Sequence, residues 1–174
     1  TDRAAIRSEL GVNDDTLLIG GSGLLAWHKG PDLFIQVAAQ LRQVDPQPRH
    51  QFVWIGGGTA ESRAQFEHDV RLSDLSQIVR CVGPKTNPLD WYAALAVFIL
   101  PSRVDSFPLV CLEAASVGKP IVCFDRAGGM PELVESDCGQ VVLYGDARAM
   151  AEAVAALLND PARRHAAGEA ARQT

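Results

Sequence analysis

The feature that most constrains the fold of this chain is a repeated alternation between short apolar runs and longer segments with helical periodicity. Val97–Leu100 and Ile121–Phe124 are apolar at every position, and each run ends at a proline or an aspartate. In Pro31–Val44, apolar residues recur three and four positions apart, which is the spacing of an amphipathic helix. Short, wholly apolar strands separated by helices are typical of a parallel sheet covered on both faces. The sequence therefore predicts an α/β fold: a doubly wound, mostly parallel, Rossmann-like sheet with helices on both faces.

Extended along the chain, this interpretation predicts six strands and seven helices. The strands are expected at residues 16–20, 51–55, 78–82, 97–100, 121–124 and 140–143. The helices are expected at residues 31–44, 60–72, 89–95, 107–117, 131–134, 147–158 and 161–172. In such a sheet, ligands bind beyond the carboxyl ends of the strands, where the strand order reverses. We therefore expect functional residues in the loops at 21–30, 56–58, 83–87, 102–106 and 125–130.

Length and charge restrict the class of protein. The 174 residues suit a single domain, residues 1–174, with its own hydrophobic core. The net charge of −5 gives no electrostatic basis for binding nucleic acid. The longest apolar run, residues 93–100, is too short to cross a bilayer, and no secretory leader is visible. We expect a cytoplasmic protein with no transmembrane segment, while peripheral membrane association of a longer protein stays open.

The segment that bears most on function follows a predicted strand and reads PSRVDSFPLVCLEAA. Asp105 stands in the turn, and Ser106 is predicted to cap the helix that follows. The backbone N–H groups of Phe107, Leu109 and Val110 would then face the crevice at the strand ends, where they would attract an anion. This segment therefore predicts an anion site beside a carboxylate.

Glu113 lies two turns into that apolar helix, where a carboxylate is costly unless it is paired or hydrogen-bonded. Two interpretations stay open from the residues alone. Glu113 either forms an ion pair that braces the sheet, or accepts hydrogen bonds from the hydroxyls of a bound sugar.

A glycine-rich loop follows the first predicted strand and ends in Lys29-Gly30. Its letters GSGLLA match the dinucleotide pattern G-x-G-x-x-A, but Gly30-Pro31 restarts the helix and no acidic residue follows the next strand. We reject the dinucleotide interpretation and keep a close-approach glycine turn with a cation. Histidine and cysteine motifs of metal sites are missing from the sequence, which predicts neither a metal site nor a cofactor.

Together these segments resemble the C-terminal, donor-binding domain of family 4 (group 1) retaining glycosyltransferases of the GT-B fold. The motifs that carry the resemblance are Lys29-Gly30, the glycines at 56–58, Val82-Gly83, Pro101-Ser102, Asp105 with Glu113, Gly118-Lys119-Pro120 and Gly128-Gly129-Met130-Pro131-Glu132. The resemblance spans nearly the whole chain and implies one half of a GT-B architecture. It also implies that the acceptor binds mainly to an N-terminal domain absent from this chain.

The resemblance implies a metal-independent transfer from a UDP or GDP sugar, in which Asp105, Glu113 and Lys29 are the catalytic residues. Glu113 would bind the ribose, Asp105 the transferred sugar and Lys29 the diphosphate, whose developing charge the domain would stabilise. The other residues implied to bind the donor line the diphosphate or the base. They are Gly23, Arg80, Cys81, Val82, Arg103, Ser106, Phe107, Leu109 and Val110.

Three positions depart from the family pattern. Leu24 replaces an arginine that would clamp the phosphates, Asp105 replaces the commoner glutamate, and Pro108 replaces a glycine and so lacks an amide donor. Arg103 and His28 are candidates to compensate for the missing arginine. These departures leave room for two alternatives, namely a nucleotide-sugar-binding module without catalytic competence and a nucleotide-sugar epimerase of the same fold.

Overall fold

The computed structural model describes residues 3–47, 49–134 and 137–174. Within these residues the chain forms six strands in one sheet, with strand order β3-β2-β1-β4-β5-β6 and parallel pairing throughout. The strands are β1 (Leu17–Ser22), β2 (His50–Ile55), β3 (Val79–Gly83), β4 (Val97–Leu100), β5 (Ile121–Phe124) and β6 (Gly139–Val142). The helices are α1 (Arg3–Leu10), α2 (Pro31–Val44), α3 (Ala60–Leu72), α4 (Pro88–Ala94), α5 (Leu109–Ser116), α6 (Met130–Val134), α7 (Ala147–Asn159) and α8 (Pro161–Gln173).

The sheet separates two hydrophobic cores. Helices α2, α3 and α7 pack on one face, and α1, α4, α5, α6 and α8 pack on the other. Strand β4 shows why its sequence is apolar throughout, because Val97 and Ile99 enter the first core while Phe98 and Leu100 enter the second. The doubly wound α/β prediction is confirmed.

The strand order places the ligand crevice. From β1 the chain proceeds outward to β2 and β3, and then returns to pair β4 on the other side of β1. The connections that follow β1 and β4 therefore leave in opposite directions and open a crevice at their carboxyl ends. This is the edge at which the sequence placed the functional loops.

The start of α5 differs from the expectation. The helix begins at Leu109 with Pro108 as its N-cap residue, and among the described residues no side chain caps it. The prediction that Ser106 caps this helix is therefore wrong. A residue that precedes proline disfavours the helical conformation, so Phe107 stays outside the helix and Ser106 lies too far from the first turn.

Two further elements were not expected from the sequence. Helix α1 precedes the sheet, and the loop after β1 contains a 3-10 turn at Trp27–Lys29. Among the described residues, no helix is long and apolar enough to cross a membrane.

Candidate functional site

The crevice is formed by the loops that follow β1 and β4, and their backbones are joined. The N–H groups of Arg103 and Val104 both donate to the carbonyl of His28, at 2.8 and 3.2 Å. Gly30 adopts a left-handed conformation with φ of 70°, and a Cβ atom there would lie 2.0 Å from the carbonyl oxygen of Pro101. Only glycine allows this close approach, which explains the Lys29-Gly30 pair in the sequence.

An ion pair crosses the crevice. Lys29 Nζ donates to Asp105 Oδ2 at 2.5 Å, and Ser102 Oγ lies 3.4 Å from the same oxygen. The side chains of Lys29 and Asp105 are only 22% and 11% exposed, so the pair is largely shielded from water. The structure thus brings together two predicted residues, 76 positions apart in the chain, that the sequence placed in separate motifs.

The paired glycines Gly128 and Gly129 support the turn that carries Asp105. Asp105 N–H donates to the carbonyl of Ala127, and Gly129 N–H donates to the carbonyl of Ser106, both at 2.8 Å. A Cβ atom on Gly128 would lie 1.6 Å from the carbonyl oxygen of Asp105. The loop after β5 therefore packs directly against the backbone that carries Asp105.

Glu113 lies half-buried in the second turn of α5. Within the described part of the chain, no ion pair or hydrogen bond holds its carboxylate. Its charge acts on Tyr92, whose pKa is raised mainly by burial and further by the negative charge of Glu113, against the hydrogen bond with Ser22. The interpretation of Glu113 as one half of a bracing ion pair finds no partner among the described residues.

Beside the ion pair, a cleft of about 340 Å³ opens at the carboxyl ends of β1 and β2. It is lined by Ser22, Gly23, Leu24, Ile55, Gly56, Gly57, Pro84, Lys85, Pro88 and Tyr92. Its floor is anchored, because Ser22 Oγ donates to the Ile55 carbonyl at 2.8 Å and lies 2.9 Å from Tyr92 Oη. Leu24 is 60% exposed and stands in the lining of this cleft.

Arg103 is engaged by protein groups. Its guanidinium forms a bidentate pair with Asp32 at 2.8 and 2.7 Å, donates to the Trp27 carbonyl and stands over the Trp27 ring at 5.0 Å. The hydrogen bond from Arg103 lowers the pKa of Asp32. Asp32 therefore already neutralises the charge of Arg103, which weakens the hypothesis that Arg103 compensates for the arginine missing at position 24.

The predicted base-binding residues lie on β3. Arg80 Nη1 donates to the carbonyl of Leu10 at 2.8 Å, so its side chain is held at the end of α1. Cys81 Sγ lies 3.5 Å from the carbonyl oxygen of Gly56, and Val82 packs against the second core. These side chains do not meet the Lys29–Asp105 pair, and their part in base binding stays a prediction.

The predicted residues around the start of α5 are open to solvent. Ser106, Phe107 and Leu109 are exposed and Val110 is half-buried. Cys111 N–H donates to the Pro108 carbonyl at 3.0 Å. In the described part of the chain, no side chain accepts a hydrogen bond from the first-turn amides of Leu109 and Val110. Uncapped amides at the start of a helix favour an anion.

Sequence reasoning missed Tyr92, Ser22 and Trp54. The Trp54 indole N–H donates to the carbonyl of Gly23 at 3.1 Å and so holds the predicted glycine turn. Tyr92 gave one signal, as an aromatic residue with a polar tip in the short helix that follows a predicted ligand loop. Nothing local to Ser22 or Trp54 indicates which carbonyl they contact.

Comparison with known proteins places these features in a family. A family model described as "Glycosyl transferases group 1" matches residues 2–174. The chain is 32% identical, over 98% of its length, to a D-inositol 3-phosphate glycosyltransferase of Kribbella flavida, of which it covers 42%. It is 33% identical, over 98% of its length, to a GDP-mannose-dependent monoacylated alpha-(1-6)-phosphatidylinositol monomannoside mannosyltransferase of Corynebacterium glutamicum, of which it covers 45%.

Among solved structures, the fold is similar to that of Anabaena Alr3699/HepE in complex with UDP-glucose. The TM-score is 0.88 at 23% identity, over 99% of this chain and 47% of that one. The chain thus spans less than half the length of the relatives it matches, and its fold is that of one half of a GT-B glycosyltransferase.

Proposed function

Because this chain belongs to the group 1 glycosyltransferases, we propose that it binds a nucleotide-diphosphate sugar and presents it for retaining transfer to an acceptor. The observation that carries this proposal is the arrangement at the switch point. The half-buried Lys29–Asp105 pair and the first turn of α5 lie at the carboxyl ends of β1 and β4. Lys29 adjoins Gly23, and the charge of Glu113 acts on Tyr92, so both groups neighbour residues that line the cleft. Such a set matches a ligand with phosphates at one end and sugar hydroxyls at the other.

Lys29 is the group that we assign to the diphosphate. Its ammonium lies in the crevice, where it pairs with Asp105, so a bound diphosphate shares or competes for the donors of this one cation. As the bond between sugar and diphosphate breaks, negative charge grows on the leaving group. Lys29 and the amides of Leu109 and Val110 would stabilise that charge electrostatically, without a metal ion.

Glu113 is assigned to the ribose of the donor. Glu113 meets no hydrogen-bond or ion-pair partner among the described residues, and donors from a ligand would stabilise its carboxylate in this mostly apolar helix. Two vicinal hydroxyls of a ribose supply two such donors in a geometry that one carboxylate accepts. Asp105, across the crevice, would then accept a hydrogen bond from the transferred sugar.

The acceptor is assigned to a second domain. The relatives are more than twice as long as this chain, and the resemblance to GT-B enzymes implies a reaction between two domains. We therefore propose that the 174-residue chain binds the donor but does not by itself transfer the sugar.

The test is titration of the chain with uridine and guanosine diphosphates by calorimetry, for the native chain and for Glu113→Gln. We expect the substitution to weaken binding by about 1–3 kcal/mol, the range for losing a charged hydrogen-bond acceptor. Glu152→Gln is the matched control, because Glu152 is an exposed glutamate on α7 that pairs with Arg148. Absence of binding at millimolar concentrations of either nucleotide would refute the donor-site proposal.

A further inference from the structure

A second cavity lies at the amino-terminal edge of the sheet, opposite the cleft described above. Its volume is about 240 Å³. It is bounded by the start of β1, the turn before β4 and Gly118-Lys119-Pro120 before β5, with walls from α1 and α8. Gly118-Lys119-Pro120 therefore lies outside the cleft at the carboxyl ends of β1 and β2, which we call the donor cleft, and lines this second cavity instead.

This cavity is lined by cations. The basic side chains on its walls are Arg3, Arg7, Lys119, Arg164 and His165. Of the described residues that line it, none is an aspartate or a glutamate. The whole chain has 21 acidic and 16 basic residues, apart from histidine, so a cavity lined by four of the basic ones runs against the overall charge.

Lys119 is half-buried among neighbouring cations. Its pKa is lowered to about 8, first by burial and then by the positive charges of Arg3, Arg172 and Arg164. In the described part of the chain, no carboxylate forms an ion pair with Lys119, Arg3 or Arg164. Cations held together in this way repel one another unless an anion enters between them.

Arg7 supplies an independent sign of a missing acceptor. It is only 4% exposed, and one of its terminal nitrogens donates to the carbonyls of Asn13, Asp14 and Thr16. Among the residues that the structure describes, its buried Nε atom has no hydrogen-bond partner, and the carboxylate of Asp14, 3.7 Å away, is fully exposed. A buried N–H donor without an acceptor is costly, and an anion in the adjoining cavity would remove that cost.

The geometry points to a binding site for a phosphate group in this cavity, separate from the donor cleft. A tetrahedral oxyanion accepts several charged hydrogen bonds at once, which suits an ammonium flanked by guanidinium groups. Arg164 is already positioned for this, because it donates to the carbonyls of Leu157 and Leu158 at the end of α7. The phosphate is either free or carried by the headgroup of a lipid.

Titration of the chain with inorganic phosphate, followed by calorimetry and by the amide NMR shift of Gly118, tests the site. We expect Lys119→Met to weaken phosphate binding about tenfold, which corresponds to about 1.4 kcal/mol. Arg148→Gln serves as the control, because Arg148 is an exposed cation on α7 that pairs with Glu152. It should leave phosphate binding unchanged.

A second variant separates this cavity from the donor cleft. Lys29→Met should leave the phosphate-induced shift of Gly118 intact, since Lys29 lies at the opposite edge of the sheet. If phosphate binding is lost in Lys29→Met and kept in Lys119→Met, the phosphate occupies the donor cleft and the proposal is overturned. Equal weakening in Lys119→Met and Arg148→Gln would likewise overturn it, since that result describes general screening.

Vesicles identify the source of the phosphate. The chain is sedimented with phosphatidylcholine vesicles that contain phosphatidic acid. If the native chain co-sediments with them and Lys119→Met does not, the site binds a lipid headgroup. Phosphate binding without co-sedimentation assigns it to a free phosphate. Failure of both inorganic phosphate and the vesicles to distinguish the native chain from Lys119→Met rejects the site.

Discussion

The ion pair between Lys29 and Asp105 yields the sharpest expectation, because the proposed diphosphate must compete with Asp105 for the same ammonium. The substitution Asp105→Asn keeps the size of the side chain and removes its charge. We expect it to tighten binding of a nucleoside diphosphate, although the same carboxylate is assigned to the sugar and its loss should lower transfer by the complete enzyme. Binding and transfer should therefore change in opposite directions.

The magnitude follows from the geometry. Two unit charges about 4 Å apart attract by about 4 kcal/mol at the effective dielectric constant of about 20 that suits such sites. The donor and acceptor atoms are 2.5 Å apart, and the side chains keep 22% and 11% of their exposure, so solvation of both groups cancels a large part of this attraction. When Asp105 is neutralised, the free energy of diphosphate binding should become more favourable by about 1–2 kcal/mol, which corresponds to a roughly fivefold to thirtyfold lower dissociation constant.

The assay is calorimetric titration with uridine and guanosine diphosphates at two salt concentrations, with thermal unfolding to verify that each variant is folded. Asp15→Asn is the matched control, because it changes the net charge by the same amount and Asp15 is exposed at the opposite edge of the sheet. In the Lys29→Gln background, Asp105→Asn should no longer tighten binding. Unchanged or weaker binding in the folded Asp105→Asn chain would show that Lys29 does not meet the phosphates.

Two further expectations follow from the crevice. Leu24→Arg should tighten nucleoside diphosphate binding by about 1.5–3 kcal/mol, because Arg103 is paired with Asp32 and leaves the site short of cations. An unchanged dissociation constant at both salt concentrations would mean that Leu24 does not face the phosphates. Gly30→Ala should lower the free energy of unfolding by about 3 kcal/mol, since it combines a left-handed backbone with a clash against Pro101. Gly11→Ala, at φ of 65° with open space around it, should cost only about 1 kcal/mol in the same denaturant titration, and equal losses would disprove the role of the close approach.

The sequence by itself determined the fold class and most element positions. Val97–Leu100, Ile121–Phe124, Pro31–Val44 and Ala60–Leu72 have the bounds that their patterns predict. The reason is local, because a wholly apolar run bounded by polar residues matches a buried strand, and a three- and four-residue period matches one face of a helix. The rejection of a dinucleotide fingerprint also depended on local features, and α2 does begin at Pro31 after the left-handed Gly30.

Local sequence pattern did not predict the helix boundary that depends on a following proline, nor the helix whose packing depends on residues distant in the chain. The helix of the PSRVDSFPLVCLEAA segment begins after Pro108, because the conformation of Phe107 depends on the proline that follows it. Helix α1 has only eight residues, of which half are polar. Its buried apolar side chains, Ile6 and Leu10, lie four residues apart on one face, and this brief stripe packs into the second core.

Only the tertiary structure decided which functional groups meet. Lys29 and Asp105 are 76 residues apart, and Arg103 and Asp32 are 71 residues apart. No local spacing predicts that Lys29 pairs with Asp105 across the crevice. Nor does it predict that Asp32 neutralises Arg103 and so makes this cation unavailable to a ligand. Both pairs exist because β4 returns to lie beside β1, which brings two loops from distant parts of the chain to one edge of the sheet. The chemistry of each side chain is a property of the sequence, whereas its partner is a property of the strand order.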